Sequence, residues 1–482
     1  MDLPRDREIV LARRLVVAVG VAYLAAQLLL FALDRAPGWD EAIYLSQVTP
    51  GGHALTFVPS RARGITLLAI PVLQLGGSLT QLRLFLAVAS SVVLALSFRR
   101  WAPVVGLGAA AGAAMFAVSW PALFYGAELM PNLWLALIAL AATAVLGRRL
   151  ALGEGRADEL VAGGLVALAA LVRPLDAAVL AAVLVVLPVA FRRATLTWSL
   201  VVPLGFLAGW APWLVEMSMR FGSLGEAFQV AARQGHTGRW VLGENVRQYL
   251  ALSDGPSLGP VARPELPLIG VLSTIGIVAL VGLGLRHAAS GGRFPPLLVP
   301  TAAGLAFAVE YVAFTDAQAP RFLLPALAQL AIPAGLGVVA FVRWLRSEPG
   351  RVLVGAGIAV LASVWLAGQL IVANAVEDSV ADGRRSAELA GERVRSLANG
   401  EGCRVFSEGA FPIVGYASGC AASPIAPDVS SWTSRAERLA REGIRPFLLL
   451  LRTEEDPPPA GTTELARVPA EDGRSWVVFG PG

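Results

Sequence analysis

Residues 15–47 read LVVAVGVAYLAAQLLLFALDRAPGWDEAIYLSQ, an apolar run over 15–33 closed by Asp34-Arg35 and then by the adjacent acids Asp40 and Glu41. About 17–25 apolar residues suffice to cross a bilayer as a helix. Comparable runs recur near 80–98, 101–119, 129–146, 159–172, 174–191, 196–214, 267–285, 296–314, 320–342 and 351–373, about eleven in all. The fold class they predict is a polytopic α-helical membrane protein.

Composition agrees. The chain has 482 residues, 56% hydrophobic and 15% charged, with mean hydropathy +0.64. Ordinary soluble domains carry about 45–50% apolar and about 25% charged residues, and a soluble surface depends on that charge. The balance argues against a soluble enzyme, a fibrous protein and a disordered chain. The net charge of +4 comes from arginine alone, in pairs between apolar runs. That is a membrane-topology pattern and not a nucleic-acid face.

The run at 64–77 (GITLLAIPVLQLGG) is too short for a span and suits an interfacial or re-entrant segment. With it kept on the outer surface, the pairs Arg13-Arg14, Arg99-Arg100, Arg148-Arg149 and Arg192-Arg193, with Arg286, Arg293, Arg343, Arg346 and Arg351, all face the cytoplasm, as positive-inside loops do. The expected topology is a multi-pass plasma-membrane protein with a cytoplasmic N-terminus, an uncleaved first span, and extracytoplasmic segments at 34–79, 215–266 and beyond 374.

The tail changes pattern. Residues 374–482 alternate helical and strand-like segments, so the expected division is a helical membrane domain over 1–373 and a small extracytoplasmic α/β domain over 374–482. Cys403 and Cys420 fall outside the cell on this topology, where a disulfide persists. The pair is read either as that disulfide, worth roughly 3 kcal/mol by loop-closure entropy, or as two buried thiols.

Polar residues at the outer ends of spans are the candidates for chemistry. Asp40 and Glu41 sit at the lipid–water boundary, where carboxylates are costly and tend to mark function. Partial burial suits a carboxylate to general-base work; the alternative is that Asp40 caps the helix that follows. Arg63, Arg173 and Arg321 lie on the outer side against the positive-inside trend, and each is read as a phosphate ligand or a headgroup anchor. Glu128 either binds sugar or metal, or favours a helix N-terminus by its charge. Trp39 and Tyr44 either stack on a sugar or belong to the aromatic belt. The 215–266 loop, with Arg233, His236, Arg239 and Trp240, has the length of a lid or substrate wall. Zinc spacing, a Walker loop, GxGxxG after a strand and GxSxG are all missing.

An Asp-Glu pair after the first span, followed by surface helices and a long multi-helix body, resembles the GT-C superfamily of membrane glycosyltransferases. Within it, the chain resembles the protein O-mannosyltransferase and aminoarabinose transferase type, glycosyltransferase family 39 and relatives. Ser60-Arg61-Ala62-Arg63-Gly64, Glu128-Leu129-Met130-Pro131-Asn132, Leu171-Val172-Arg173-Pro174 and Pro320-Arg321-Phe322-Leu323-Leu324-Pro325 carry the resemblance over about 1–345. The first loop departs from it in lacking Lys/His-Pro-Pro.

The resemblance implies transfer of a sugar from a polyprenyl-phosphate donor to an acceptor at the outer face, with inversion. Asp40 would be the general base, and Glu41 would position the acceptor or hold a divalent cation. Arg63, Arg173 and Arg321 would face the lipid phosphate, with Glu128, Trp39 and Tyr44 as further substrate contacts. The acceptor is left open among protein, lipid and polysaccharide in the cell envelope. The competing class is a transporter or lipid flippase, which should carry its charges mid-span on broken helices.

Overall fold

The computed structural model describes residues 4–50, 55, 59, 61–153, 156–234, 240–253, 255, 257–259, 268–347, 352–425, 432–470 and 473–482. His236, Arg239 and Ser60 lie outside the described residues. The chain forms two compact units. One comprises Met1–Phe31, Pro59–Gly64 and Leu84–Val376; the other comprises Ala32–Val58, Ile65–Arg83 and Glu377–Gly482. The boundary read from sequence at 373/374 lies inside the helix Val352–Ala398, and most of the expected loop 34–79 belongs to the unit that holds the tail.

Among the described residues eight helices are long and apolar enough to cross a membrane, beginning with Asp6–Leu30 and Leu79–Arg99. The helix Pro131–Leu152, with 22 residues, reaches about 33 Å at the α-helical rise, matching a bilayer core of about 30 Å. Three of the eleven expected spans take shorter forms. The run 101–119 breaks at Gly106, whose φ of 57° separates Ala102–Val105 from Gly108–Ala117. Arg156–Val172 and Pro174–Ala190 are 17 residues each and are separated by Arg173 in an extended conformation. The 64–77 run forms a 3-10 turn, Arg63–Leu68, and a short helix, Ile70–Gln74.

Small residues set the packing of the helical unit. A Cβ on Gly335 would lie 2.2 Å from the Gly108 carbonyl, and one on Gly205 would lie 2.2 Å from the Gly163 carbonyl. Lipid offers helices little hydrophobic driving force to associate, so close backbone approach of this kind is how they gain contact. Prolines 203, 212, 300 and 333 sit inside long helices, which neighbouring helices make tolerable in a membrane.

The second unit holds a five-stranded sheet: β1 (Cys403–Ser407), β2 (Ala421–Pro424), β3 (Arg445–Arg452), β4 (Thr462–Pro469) and β5 (Ser475–Pro481), in the order β2-β1-β3-β5-β4. β1 runs parallel to β2 and β3; β5 runs antiparallel to β3 and β4. Strand alternation sends Val405, Phe447, Leu449 and Val478 to a core with Ala390 and Val394 of the long helix. It sends Phe406, Leu448, Leu450 and Val477 to an opposite core with Trp432 and Leu439. Both faces of β3 are therefore covered, which is why it reads as an unbroken apolar run. Cys403 and Cys420 are disulfide-bonded, with Cα atoms 5.0 Å apart. The helix Phe411–Ser418 and the strands β2 and β4 had no clear signal in the sequence.

Candidate functional site

The expected site residues are divided between the two units. In the unit that holds the sheet, Asp40 and Glu41 occupy the first turn of the helix Trp39–Ser46. Glu41 is fully buried. Its Oε2 accepts from the Gly38 N–H at 3.1 Å and from Arg83 Nη2 at 2.8 Å, and the Arg83 side chain is equally buried. Arg83 also reaches the carbonyls of Arg35 and Ala36 at 3.4 Å. Arg35 in turn bonds Glu377 at 2.9 Å, and that carboxylate also receives the Ala32 N–H at 3.0 Å. A third arginine lies at the turn: the guanidinium of Arg384 is against Gly38, 2.7 Å from where a Cβ would stand. Glu41 thus holds the turn together from inside.

Asp40 differs from its neighbour. It is half-buried, with Oδ1 shielded from solvent, and it sits where the helix N-terminus favours a negative charge. Trp39 is 41% exposed, and its ring stands edge-on to Phe411 at 4.9 Å. Tyr44 is buried, so its ring offers little surface for a sugar.

In the helical unit, Arg173 and Arg321 meet at one aromatic ring. Their guanidinium carbons lie 5.8 and 4.9 Å from the centre of the Phe322 ring. That ring stacks on Tyr311 at 5.0 Å with 12° between planes. Arg173 donates from Nε to Asp176 Oδ2 at 2.5 Å and from Nη2 to the Tyr311 hydroxyl at 2.6 Å; Tyr311 in turn donates to Asp176 Oδ1. Asp176 is buried. It stands in the first turn of Pro174–Ala190, three residues after Arg173, the spacing at which helical side chains meet. Arg321 also lies 6.0 Å from the Tyr125 ring.

Behind this group, Asn245 bonds the carbonyls of Tyr311 and Thr315 at 3.1 and 2.7 Å and receives Gln318 at 2.6 Å. Burial pushes the Tyr249 phenol above its ordinary range, and the positive charges of Arg321 and Arg173 draw it back. A cavity of about 160 Å³ is walled in part by Pro320, Leu323, Tyr249, Trp120, Trp365 and Gln369.

Glu128 is buried at the bend before Pro131–Leu152, two positions ahead of the N-cap residue Met130. Asn132 is fully buried, and among the described residues neither of its amide atoms has a hydrogen-bond partner. Arg63 stands apart from the Phe322 group in its bonding: it pairs with Glu216, which also holds Arg220 at 2.8 Å. Gly64 presses on the Leu171 carbonyl, 2.1 Å from where its Cβ would be. No cluster of three or more His, Cys, Asp or Glu side chains suited to a metal occurs among the described residues.

Sequence reading missed Arg83, Asp176, Tyr311 and Phe322. The acid three residues into a helix that starts at Arg173-Pro174 was a usable signal for Asp176. Arg83 had one too, as a charge inside an apolar run.

No family model matches the sequence, and neither does any curated protein. Among solved structures the chain is similar to ArnT from Cupriavidus metallidurans bound to undecaprenyl phosphate, with TM-score 0.66 and 15% identity over 96% of this chain and 97% of that one. It is similar to the Archaeoglobus fulgidus oligosaccharyltransferase in complex with Zn and sulfate, with TM-score 0.56 and 14% identity over 90% of this chain and 68% of that one. It is also similar to the arabinofuranosyltransferase AftD from Mycobacteria, with TM-score 0.54 and 14% identity over 98% of this chain and 40% of that one. All three are GT-C enzymes, and the fold of this chain is that of the GT-C membrane glycosyltransferases.

Proposed function

We propose that the chain is an integral-membrane glycosyltransferase that moves a sugar from a polyprenyl-phosphate-linked donor to an acceptor at the outer face of the plasma membrane, inverting the anomeric carbon. The observation that carries this reading is the pair of guanidinium groups, Arg173 and Arg321, gathered on the Phe322 ring. The structural likeness to ArnT bound to undecaprenyl phosphate supports the donor class.

The chemistry asks for such a pair. A sugar–phosphate–lipid diester carries one negative charge. When the bond from the anomeric carbon to the phosphate oxygen breaks, its electrons stay on that oxygen, and the monoester left behind carries nearly two. A fixed cation aimed at that oxygen is worth more in the transition state than in the ground state, which is what raises a rate. Arginine suits the task through its planar fork of donors. Asp176 and Tyr311 fix the fork of Arg173 and act as positioning residues. The acceptor hydroxyl must lose its proton as it attacks, and Asp40 is the base. Glu41 is bound within its own turn, so its role is to hold Asp40 in place. The outer-face orientation rests on the arginine pairs, which this reading places in the cytoplasm. No specific observation favours a transporter.

The test is direct. The purified protein is incubated with a panel of synthetic undecaprenyl-phosphate sugars and a cell-envelope extract, and release of undecaprenyl phosphate is measured. Release that depends on one sugar and on the acceptor extract is expected. No release from any donor, by protein shown to be folded, would reject the reading.

A further inference from the structure

A second cationic pocket lies at the other end of the helical unit. Arg321 precedes the helix Leu324–Arg346, and Arg343 is in that helix's last turn. At a rise of about 1.5 Å per residue they are roughly 33 Å apart, the thickness of a bilayer core. The neighbouring helix Phe294–Phe314 repeats the arrangement, with Arg293 at its start and Tyr311 in its last turn.

At this far end Arg5, Glu8, His287, Ser290, Arg293 and Arg343 line a cavity of about 500 Å³. Arg293 is only 6% exposed. The Nε2 atom of His287 is shielded from solvent and has no hydrogen-bond partner among the described residues. The one acid among the described wall residues is already engaged: Glu8 accepts from Arg343 at 3.3 Å and from the Leu107 N–H at 3.4 Å. It is also packed on Gly106, where a Cβ would stand 2.3 Å from its oxygen. Among the described residues, three guanidinium groups and an imidazole line this cavity together with one carboxylate.

The positive-inside rule explains which end of the helices these charges occupy. It does not explain why a buried arginine and a histidine edge converge on a cavity and not on open solvent. Basic pockets between membrane helices hold phosphate headgroups, and arginine forks match phosphate oxygens. We propose that this pocket is a second binding site, for a phosphate-bearing anion, about one membrane thickness from the Arg173–Arg321 group and independent of the transfer reaction. Phosphate of this kind has two sources, an anionic phospholipid headgroup or a soluble phosphate.

The experiment titrates the full chain in detergent with dioleoylphosphatidylglycerol and, separately, with inorganic pyrophosphate, reading apparent affinity from thermal shift. Dioleoylphosphatidylcholine and sodium chloride of matched ionic strength are the controls. The Arg5→Gln/Arg343→Gln variant changes two exposed side chains and is expected to fold; Arg293→Gln is the second variant. Saturable binding that weakens about tenfold or more in both variants is expected, the scale of lost charged hydrogen bonds. Binding of phosphatidylglycerol alone assigns a lipid headgroup, and binding of both probes assigns the phosphate itself. No preference over the controls, or unchanged affinity in the variants, overturns the proposal.

Discussion

Arg83 donates from Nη2 to Glu41 Oε2 at 2.8 Å, and solvent reaches neither side chain. Removing one partner of such a pair strands a buried charge, at about 3–5 kcal/mol. Arg83→Ala is expected to destabilise the protein by that amount in thermal or denaturant unfolding. Replacing both, as Arg83→Met with Glu41→Leu, is expected to recover most of the loss. A single variant as stable as the parent would mean that Glu41 does not hold the turn.

Asp40, one residue earlier, is half-buried, and asparagine keeps its size and shape. Asp40→Asn is expected to lower turnover by about 10²–10⁴, the usual contribution of a general base, with an unchanged melting temperature. Near-normal turnover would remove Asp40 from the chemistry.

Arg321 and Asp176 are expected to separate in kinetics. Arg321→Ala removes the proposed phosphate ligand and is expected to lower kcat/KM for the lipid donor about tenfold or more, with partial recovery in Arg321→Lys. Asp176→Asn loosens Arg173 without touching substrate. Its effect is expected mainly in kcat, because orientation matters most as charge develops on the leaving oxygen. Unchanged kinetics in both variants would sink the phosphate assignment.

Tyr416 supplies a pH signature. Burial raises its phenol pKa; the hydrogen bond to Thr49 lowers it, and the negative charge of Glu41 raises it further. A group whose pKa is raised on folding contributes stability that is whole below its unfolded value, about 10 for tyrosine, and lost as the pH climbs through the folded value. Stability is expected to fall on the alkaline side of pH 10, and more gently in Tyr416→Phe. Identical alkaline slopes for the two proteins would refute the assignment.

The helical body was legible because a bilayer reads hydrophobic length. The run 15–33 and its successors need no partner to be recognised as helices, since hydrocarbon leaves the backbone no other way to satisfy its own groups. The strands at 403–407, 445–452 and 475–481 were legible from their apolar density. Less visible were β2 and β4, which are short or half-exposed edge strands whose pairing comes from their neighbours. The break at Gly106 was hidden for a related reason: Glu8, far away in sequence, is packed where a Cβ on this positive-φ residue would stand.

The candidate site divides in the same way. By itself the sequence determined which residue types stand at the ends of the spans, Asp40, Glu41, Arg173 and Arg321 among them. Composition and charge placement are local and cannot be disguised. What each of them touches is set by folding. It turned Glu41 inward to Arg83, tied Arg63 to Glu216, and set Arg173 and Arg321 on one phenylalanine ring. The reason is that a charge in a low-dielectric interior takes its role from its partner, and these partners lie up to 153 residues away along the chain.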